Sequence, residues 1–144
     1  MQWVYSELRG LVGERKITRG ASCLARGADQ IFASILLEYG IPYVAVLACE
    51  NIRDTFHDAA GRAEFDQLWE KAEDIEIMPY LEASEEAFLA AGRRLVELSD
   101  CLFAVWDGGQ SSGKGGTANI VAYAQRTRRQ VLHLNPYSCH RRRI

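Results

Sequence analysis

Several features that would assign the chain at once to a particular class of protein are scarce or missing in the sequence. Only three of its 144 residues are proline, and no apolar run approaches the roughly 20 residues that a membrane-spanning helix needs. The first 12 residues carry Glu7 and Arg9 and contain no apolar centre of the kind found in signal peptides. These absences predict no membrane association, and a cytoplasmic protein is the default expectation.

Excess charge of either sign is also missing, since 17 basic residues stand against 19 acidic ones and the formal net charge is −2. Without a positive field the chain is not drawn to polyanions, so we do not expect nucleic acid as a partner. The four cysteines form no C-x-x-C pair, and we interpret all of them as reduced thiols. The three histidines are scattered and no H-E-x-x-H motif occurs, so we predict no metal and no cofactor.

What the sequence does contain is a regular alternation of strand and helix patterns. The apolar runs Tyr43–Leu47 and Cys101–Val105 predict buried strands, and the second is expected to be the best buried. This alternation predicts a three-layer Rossmann-like α/β fold, with a parallel sheet of about five strands flanked by helices. We expect one domain over 1–136 and a basic C-terminal tail over 137–144. The predicted helices cover 2–12, 27–39, 59–72, 84–98 and 116–125, and the predicted strands cover 16–21, 43–47, 74–78, 101–105 and 130–134.

A first glycine-rich turn follows the first predicted strand and includes Gly20, Ser22 and Gly27. A strand that ends in glycines and enters a helix directs free backbone N–H groups, and the positive end of the helix dipole, at one spot. Arg26 either offers its donors to a phosphate or carboxylate or pairs with a nearby acid. Asp29 either caps the helix or accepts from a ribose hydroxyl. The turn is therefore half of a predicted anion site.

A second glycine-rich turn follows Cys101–Val105 and nearly matches the phosphate-binding pattern G-x-x-x-x-G-K-[ST]. It fails at the last position, where Gly115 stands in place of the hydroxyl that would hold Mg²⁺, and this excludes an ATPase of that class. A backbone cradle remains, with Thr117 as a phosphate donor or helix cap and Lys114 as a counter-charge or a solvated loop lysine. The cradle consists of Gly113, Gly115, Gly116 and Thr117.

Three further side chains follow predicted strands at the same sheet edge. Trp106 either stacks on a base or covers the end of the sheet, and Asp107 either accepts from a sugar hydroxyl or organises the glycine loop. Arg53 either helps to hold an anion or forms a salt bridge within the loop that follows Tyr43–Leu47. No catalytic residue is assigned.

Together these segments resemble the SLOG superfamily, which comprises Rossmann-like domains related to DNA-processing protein A and to the LOG phosphoribohydrolases. The resemblance rests on Ala25–Gln30, Ile41–Leu47, Ala104–Gly108 and Gly115–Ala118. It implies a nucleotide or nucleotide derivative bound across the two glycine-rich turns. The residues at matching positions are Gly20, Arg26, Gly27, Asp29, Gly115, Gly116 and Thr117.

Two positions depart from the pattern of the superfamily. Its members usually begin with a central strand before the first helix, whereas this sequence starts at that helix, and a homodimer would cover the resulting seam. The LOG enzymes carry a glutamate three residues after the threonine of the turn, where this chain has Ile120. An isoleucine cannot act as an acid, a base or a charged group at a ribose.

The sequence thus favours a nucleotide-binding or nucleotide-sensing module with a small-molecule, nucleotide-like ligand. One alternative is a hydrolase that cleaves an N-glycosidic or phosphate bond with Asp29 or Asp107 as its carboxylate. A third hypothesis is an N-terminally truncated domain that works only as an oligomer.

Overall fold

Strands and helices alternate along residues 1–110, 113 and 115–144, which are the residues that the computed structural model describes. The helices among them are α1 (Gln2–Glu14), α2 (Ala28–Glu38), α3 (Ala59–Lys71), α4 (Glu85–Glu97) and α5 (Thr117–Arg126), with a short 3-10 helix over Ile52–Thr55. The strands are β1 (Gly20–Ser22), β2 (Tyr43–Leu47), β3 (Asp74–Ile77), β4 (Cys101–Val105), β5 (Gln130–Asn135) and β6 (His140–Arg143).

Over these residues the strands form two three-stranded sheets. The first has the order β1-β2-β3 and is parallel throughout, with Ala45 of β2 opposite Ile75 of β3. The second has the order β4-β5-β6, in which β4 and β5 are parallel and β6 is antiparallel to β5. The predicted α/β fold of parallel strands flanked by helices is confirmed, but each sheet has fewer strands than the single sheet of about five that we predicted.

Helices cover both faces of β2, which is buried at every residue from Tyr43 to Leu47. α1 packs against α2 and α2 against α3, whereas α4 packs against α5 and contacts β2. Right-handed crossovers through α2 and α3 are expected to place these two groups of helices on opposite faces of the first sheet. The helix boundaries follow local capping, since the Asp58 carboxylate accepts from the amide of Gly61 at the start of α3. The Ser84 hydroxyl accepts from the amide of Ala87 at the start of α4 in the same way.

α1 joins the two sheets. Its apolar stripe, which includes Leu8, is buried in one core cluster with β2 and with Leu132 of β5. From the second sheet, Arg141 of β6 reaches Glu7 of α1 at 3.3 Å. The same helix therefore packs over residues of both sheets.

β4 is less buried than its sequence predicts. Leu102 and Ala104 are buried, whereas Cys101, Phe103 and Val105 are only partly covered. The expectation that this is the best-buried strand is wrong, because β4 lies at the edge of its sheet and a cleft separates it from β1. β2 is the strand whose residues are all buried.

Part of the basic C-terminal tail that we expected over 137–144 is a strand. Residues His140–Arg143 form β6, whose four residues are exposed and pair with β5. Without β6, the backbone N–H and C=O groups along one edge of β5 would be unpaired. The backbone of this basic segment pairs with them. None of the described helices combines the length and the apolar character that a bilayer crossing requires.

Candidate functional site

A central cleft of about 1540 Å³ lies between β1 and β4. It is lined by the chain from Arg15 to Asp29 on one side and by the chain from Leu98 to Val105 on the other. The turns that follow β1 and β4 open into the same cleft, because the carboxyl ends of parallel strands meet at one edge. We call that end the cleft mouth and define it by Arg26, Gly27, Asp58, Gly115 and Thr117, all of which line the cleft.

The first turn is held by its own hydrogen bonds. The buried Ser22 hydroxyl donates to the carbonyl oxygen of Asp29 at 3.0 Å and accepts from the amide of Leu24 at 3.1 Å. Gly27 then enters α2 with φ of 100° and ψ of −127°, a backbone conformation that only glycine adopts without strain. The shape of the turn is therefore set by its own residues and needs no ligand.

Asp29 lies in the first turn of α2 and is half-buried. One carboxylate oxygen accepts from the amide of Ala25 at 3.2 Å. Burial raises the pKa of the Asp29 carboxyl, although the hydrogen bond from Ala25 opposes this shift. Burial also raises the pKa of the neighbouring Cys23 thiol well above its ordinary value, and the negative charge of Asp29 adds to that increase. Cys23 is consequently a neutral thiol at physiological pH.

Arg26 is exposed at the mouth and pairs with Asp58, with 3.0 Å between the guanidinium nitrogen and the carboxylate oxygen. The pKa of Asp58 is lowered by the hydrogen bond from the Gly61 amide, which is the largest single cause, and by the hydrogen bond and positive charge of Arg26. Asp58 thus has two tasks, since it caps α3 and holds Arg26. Of the two interpretations of Arg26, the structure displays the ion pair with an acid.

Two helices begin at the mouth, and both have a glycine at the N-cap. α2 begins after Gly27 and α5 after Gly116, so neither helix has a capping side chain there. Within the described part of the chain, no hydrogen bond is made by the amides of Ala28 or of Thr117, nor by the Thr117 hydroxyl, which is exposed. The unsatisfied amides and the positive dipole ends of two helices therefore open on one cleft.

Gly115 is required at its position by close packing rather than by its backbone angles. A Cβ atom there would lie 2.7 Å from the Cβ of Phe88 and 3.1 Å from the carbonyl oxygen of Glu85. Gly115, near the end of the second turn, therefore lies directly against the start of α4. This contact lets the backbone of Gly115 form part of the cleft wall.

The described residues 106–110 at the start of the second turn do not line the cleft, and hydrogen bonds link several of them to one another. The Asp107 carboxylate accepts from the amide of Gly109 at 2.8 Å, so this residue organises the glycine loop. The Trp106 indole N–H donates to the carbonyl oxygen of Gly109 at 2.9 Å, and its ring lies 5.0 Å from that of His133. Trp106 therefore covers the end of the second sheet, as one of our two interpretations had it.

Of the predicted ligand-binding residues, the cleft brings together Gly20, Ser22, Arg26, Gly27, Asp29, Gly115 and Thr117. It does not include Trp106, Asp107, Gly113 and Gly116, although Gly116 is the N-cap of α5. Lys114 lies outside the described residues.

The loop after β2 contributes residues that sequence reasoning did not assign to the site. Phe56, His57 and Asp58 line the cleft, and the only signal for them was their place beyond the carboxyl end of a buried strand. Arg53 of the same loop instead forms a two-point ion pair with Asp66 of α3, at 2.7 and 2.9 Å. Arg53 therefore forms a salt bridge, but with an acid of α3 and not within its own loop as one of our two interpretations had it.

Comparison with known proteins gives a likeness of fold. No family model matches the chain, and no curated protein matches it. Among solved structures, DNA processing protein A (DprA) from Streptococcus pneumoniae superimposes with a TM-score of 0.66 and 20% sequence identity, over 93% of this chain and 44% of that one. The chain thus spans less than half the length of that protein, and an identity this low shows the fold alone. The name of that protein gives no support to our expectation that nucleic acid is not a partner. The fold of this chain is therefore Rossmann-like and similar to that of DNA processing protein A.

Proposed function

We propose that the chain binds a nucleotide or nucleotide derivative at the cleft mouth, with the phosphate against the first amides of α2 and α5. The observation that carries this proposal is that two glycine-capped helix N-termini open on one cleft. Backbone N–H groups and helix dipoles together favour a phosphate. Both turns are built around glycine, so the backbone of each can approach a ligand closely.

Arg26 supplies the mobile positive charge of the proposed site. Its partner Asp58 is exposed, and exposed ion pairs are weak, so a phosphate can compete with that carboxylate for the guanidinium. A planar guanidinium is suited to bidentate contact with phosphate oxygens. Ligand binding therefore exchanges the Arg26–Asp58 pair for an Arg26–phosphate pair.

The resemblance to the SLOG superfamily supports the same ligand class, because it includes Ala25–Gln30 and Gly115–Ala118, which contribute mouth residues from both turns. The similarity of fold to a protein named for DNA processing is compatible with a nucleotide-related ligand. Membership of the SLOG superfamily and a relation to the LOG enzymes are part of this proposal.

The test is calorimetric titration of the chain with AMP, ADP, ATP and the corresponding guanine nucleotides. We expect saturable binding for at least one, and a loss of about tenfold in affinity for Arg26→Gln, in line with a charge-assisted contact. Arg53→Gln is the matched control, since Arg53 is also an exposed arginine in an ion pair but does not line the cleft. Absence of binding to all nucleotides, or equal losses in the two variants, contradicts the proposal.

A second function, hydrolysis of an N-glycosidic or phosphate bond, is favoured by one observation. Asp29 is a half-buried carboxyl with a raised pKa in the wall of the cleft, which is the environment of a general acid. Asp107 does not line the cleft and is bound to its own loop, so it is the matched control. Release of free base or phosphate that is lost in Asp29→Asn and kept in Asp107→Asn supports this function. Failure to detect any product rejects it.

A further inference from the structure

Both strands that border the central cleft lack a partner on the side that faces it, among the residues that the structure describes. β1 pairs with β2 alone, and β4 pairs with β5 alone. The cleft runs along the length of both strands, from the segment before β1 to the turn after it. An unpaired edge presents a row of N–H and C=O groups, so the cleft has one such row on each side.

The direction of individual amides can be derived from the ladders. The amide of Gly20 donates to Pro42 beside β2, so the amide of Ala21 points away from β2 and into the cleft. The amide of Trp106 donates to Leu134 of β5, so the amides of Phe103 and Val105 point away from β5. Three backbone donors on two strands are thereby directed at the same space.

The sequence of β4 is that of an interior strand. Cys101–Val105 contains neither a charge nor a proline, which are the devices that protect strand edges in natural proteins. The outer edges of the two sheets do carry such protection, with Asp74 and Glu76 in β3 and three arginines in β6. The two inner edges, Gly20–Ser22 in β1 and Cys101–Val105 in β4, thus lack such protection, whereas the two outer edges have it.

Apolar side chains cover the cleft from both helical layers. Leu8 of α1 and Phe32 of α2 line it from one layer, and Ala91 and Leu95 of α4 line it from the other. Its volume of about 1540 Å³ exceeds the ~300–1,000 Å³ of small-molecule pockets, so the cleft has room for more than a nucleotide at its mouth.

We propose that the central cleft accepts one extended apolar segment of a partner polypeptide, which pairs with β1 and β4 and joins the two sheets into one. The segment runs parallel to both strands, as neighbours in a sheet with helical crossovers do. It carries apolar side chains on both of its faces, as β2 does, because helices cover both sides of the cleft. About five residues at roughly 3.3 Å each match the length of β4. The proposal does not depend on nucleotide binding, because the segment occupies the length of the cleft and the phosphate its mouth.

The probe is a fluorescent peptide with the Tyr43–Leu47 sequence, flanked by lysines, added to the full chain. We expect saturable binding by fluorescence anisotropy, with affinity at least about tenfold weaker when proline replaces the central alanine, because proline cannot donate to a ladder. Hydrogen exchange locates the peptide: the amides of Ala21, Phe103 and Val105 become protected, and the outer edges of β3 and β6 do not. These measurements need no nucleotide, so they succeed or fail independently of the proposed function.

Variants of the chain provide the second arm of the test. Phe103→Glu places a charge on the inner edge and is expected to weaken peptide binding at least about tenfold. Ile77→Glu places the same charge on the exposed outer edge of β3 and leaves binding unchanged. If Phe103→Glu does not fold, the comparison of the parent peptide with the proline peptide still tests the proposal.

Four results would overturn the proposal. They are no binding of the parent peptide, equal binding of the proline peptide, equal losses in the two glutamate variants, and protection confined to the outer edges. Light scattering of the chain alone supplies a fifth: a dimer with Ala21 and Phe103 already protected identifies a second copy, rather than a partner polypeptide, as the occupant. That fifth result is the one expected from the hypothesis of a domain that works only as an oligomer.

Discussion

The guanidinium of Arg26 lies 3.0 Å from the carboxylate of Asp58, and the same carboxylate accepts from the amide of Gly61 at 2.7 Å. One acid therefore caps α3 and restrains the only arginine among the mouth residues as we have defined them. Whatever anion enters the cleft has to compete with Asp58 for that arginine. Under the proposed function, this relationship makes Asp58 a determinant of nucleotide affinity even though its charge is the wrong one to bind a phosphate.

Replacing Asp58 with asparagine is expected to tighten nucleotide binding. Asparagine caps a helix about as well as aspartate does, so α3 is retained. The negative charge that competes for Arg26 is lost, and we expect affinity to rise about two- to fivefold, the range of an exposed ion pair. Calorimetric titration at low salt measures the change, which shrinks at high salt.

The control for this prediction is Asp66→Asn. Asp66 also accepts from an exposed arginine, Arg53, but neither residue lines the cleft. We expect no change in nucleotide affinity for this variant. An equal gain in both variants would mean that net charge alone, and not the release of Arg26, changes the affinity.

Ser22→Ala is expected to destabilise the fold. The hydroxyl is buried and bridges Leu24 to Asp29, so its removal leaves the Leu24 amide without its acceptor. An unsatisfied buried donor costs about 1–3 kcal/mol of unfolding free energy. Urea denaturation followed by circular dichroism measures this loss. Ser6→Ala, on an exposed position of α1, is the control and is expected to lie within about 0.5 kcal/mol of the parent.

Gly27→Ala is expected to be destabilising for a reason that lies in the backbone alone. The nearest atom to an added Cβ is the Met1 methyl at 3.8 Å, so there is room for the side chain. The φ of 100° is nevertheless strained for alanine, at a cost of about 1–3 kcal/mol. Gly10→Ala, in the middle of α1 with similar room, should instead stabilise by about 0.5–1 kcal/mol. If both variants shift the thermal midpoint in the same direction, the explanation fails.

Asp29→Asn is expected to change how stability depends on pH. Because burial raises the pKa of Asp29 in the folded state, the folded chain binds more protons than the unfolded chain between its ordinary pKa of 3.8 and the raised value. Stability of the parent therefore falls as the pH rises through that window. The variant lacks this loss, so its stability relative to the parent increases from pH 4 to pH 7.

For Asp66→Asn we expect the opposite dependence of stability on pH. Arg53 holds the pKa of Asp66 below its ordinary value, so the parent gains stability as the pH rises through that lower window. Relative to the parent, this variant becomes less stable with increasing pH. Urea titrations of both variants and the parent at several pH values between 2.5 and 7 separate the two slopes. Slopes of the same sign would contradict the assignment for Asp29.

Local sequence was sufficient to predict most elements. The strands Tyr43–Leu47 and Cys101–Val105 have the predicted bounds, because short apolar runs between turn residues have few alternatives. Helices 59–72 and 84–98 were predicted to within a residue or two, since Asp58 and Ser84 are caps that act within one turn. β6 was missed because the sequence of His140–Arg143 is charged, and only the open edge of β5 makes it a strand.

The candidate site likewise contains residues that the sequence predicted and residues that it did not. Gly27 and Gly115 were identified from sequence, because the strand, the glycine turn and the helix that place them at the cleft are consecutive in the chain. Asp58 was not assigned to the site, because its distance of 32 residues from Arg26 is closed only by packing α3 beside α2. The roles of Trp106 and Asp107 stayed open for a related reason, as both depend on contacts within their own loop and with His133.

The sequence by itself determined the α/β alternation and the two glycine-rich helix starts, because these depend on periodicity, capping and backbone freedom within a few residues. Only the tertiary structure decided that β1 and β4 face each other across a cleft and that β4 lies at an edge. The apolar run of β4 indicates that the strand is suited to burial, but not that a neighbouring strand covers it. Whether a neighbour is present depends on which segments of the chain meet in space, and no local pattern encodes that.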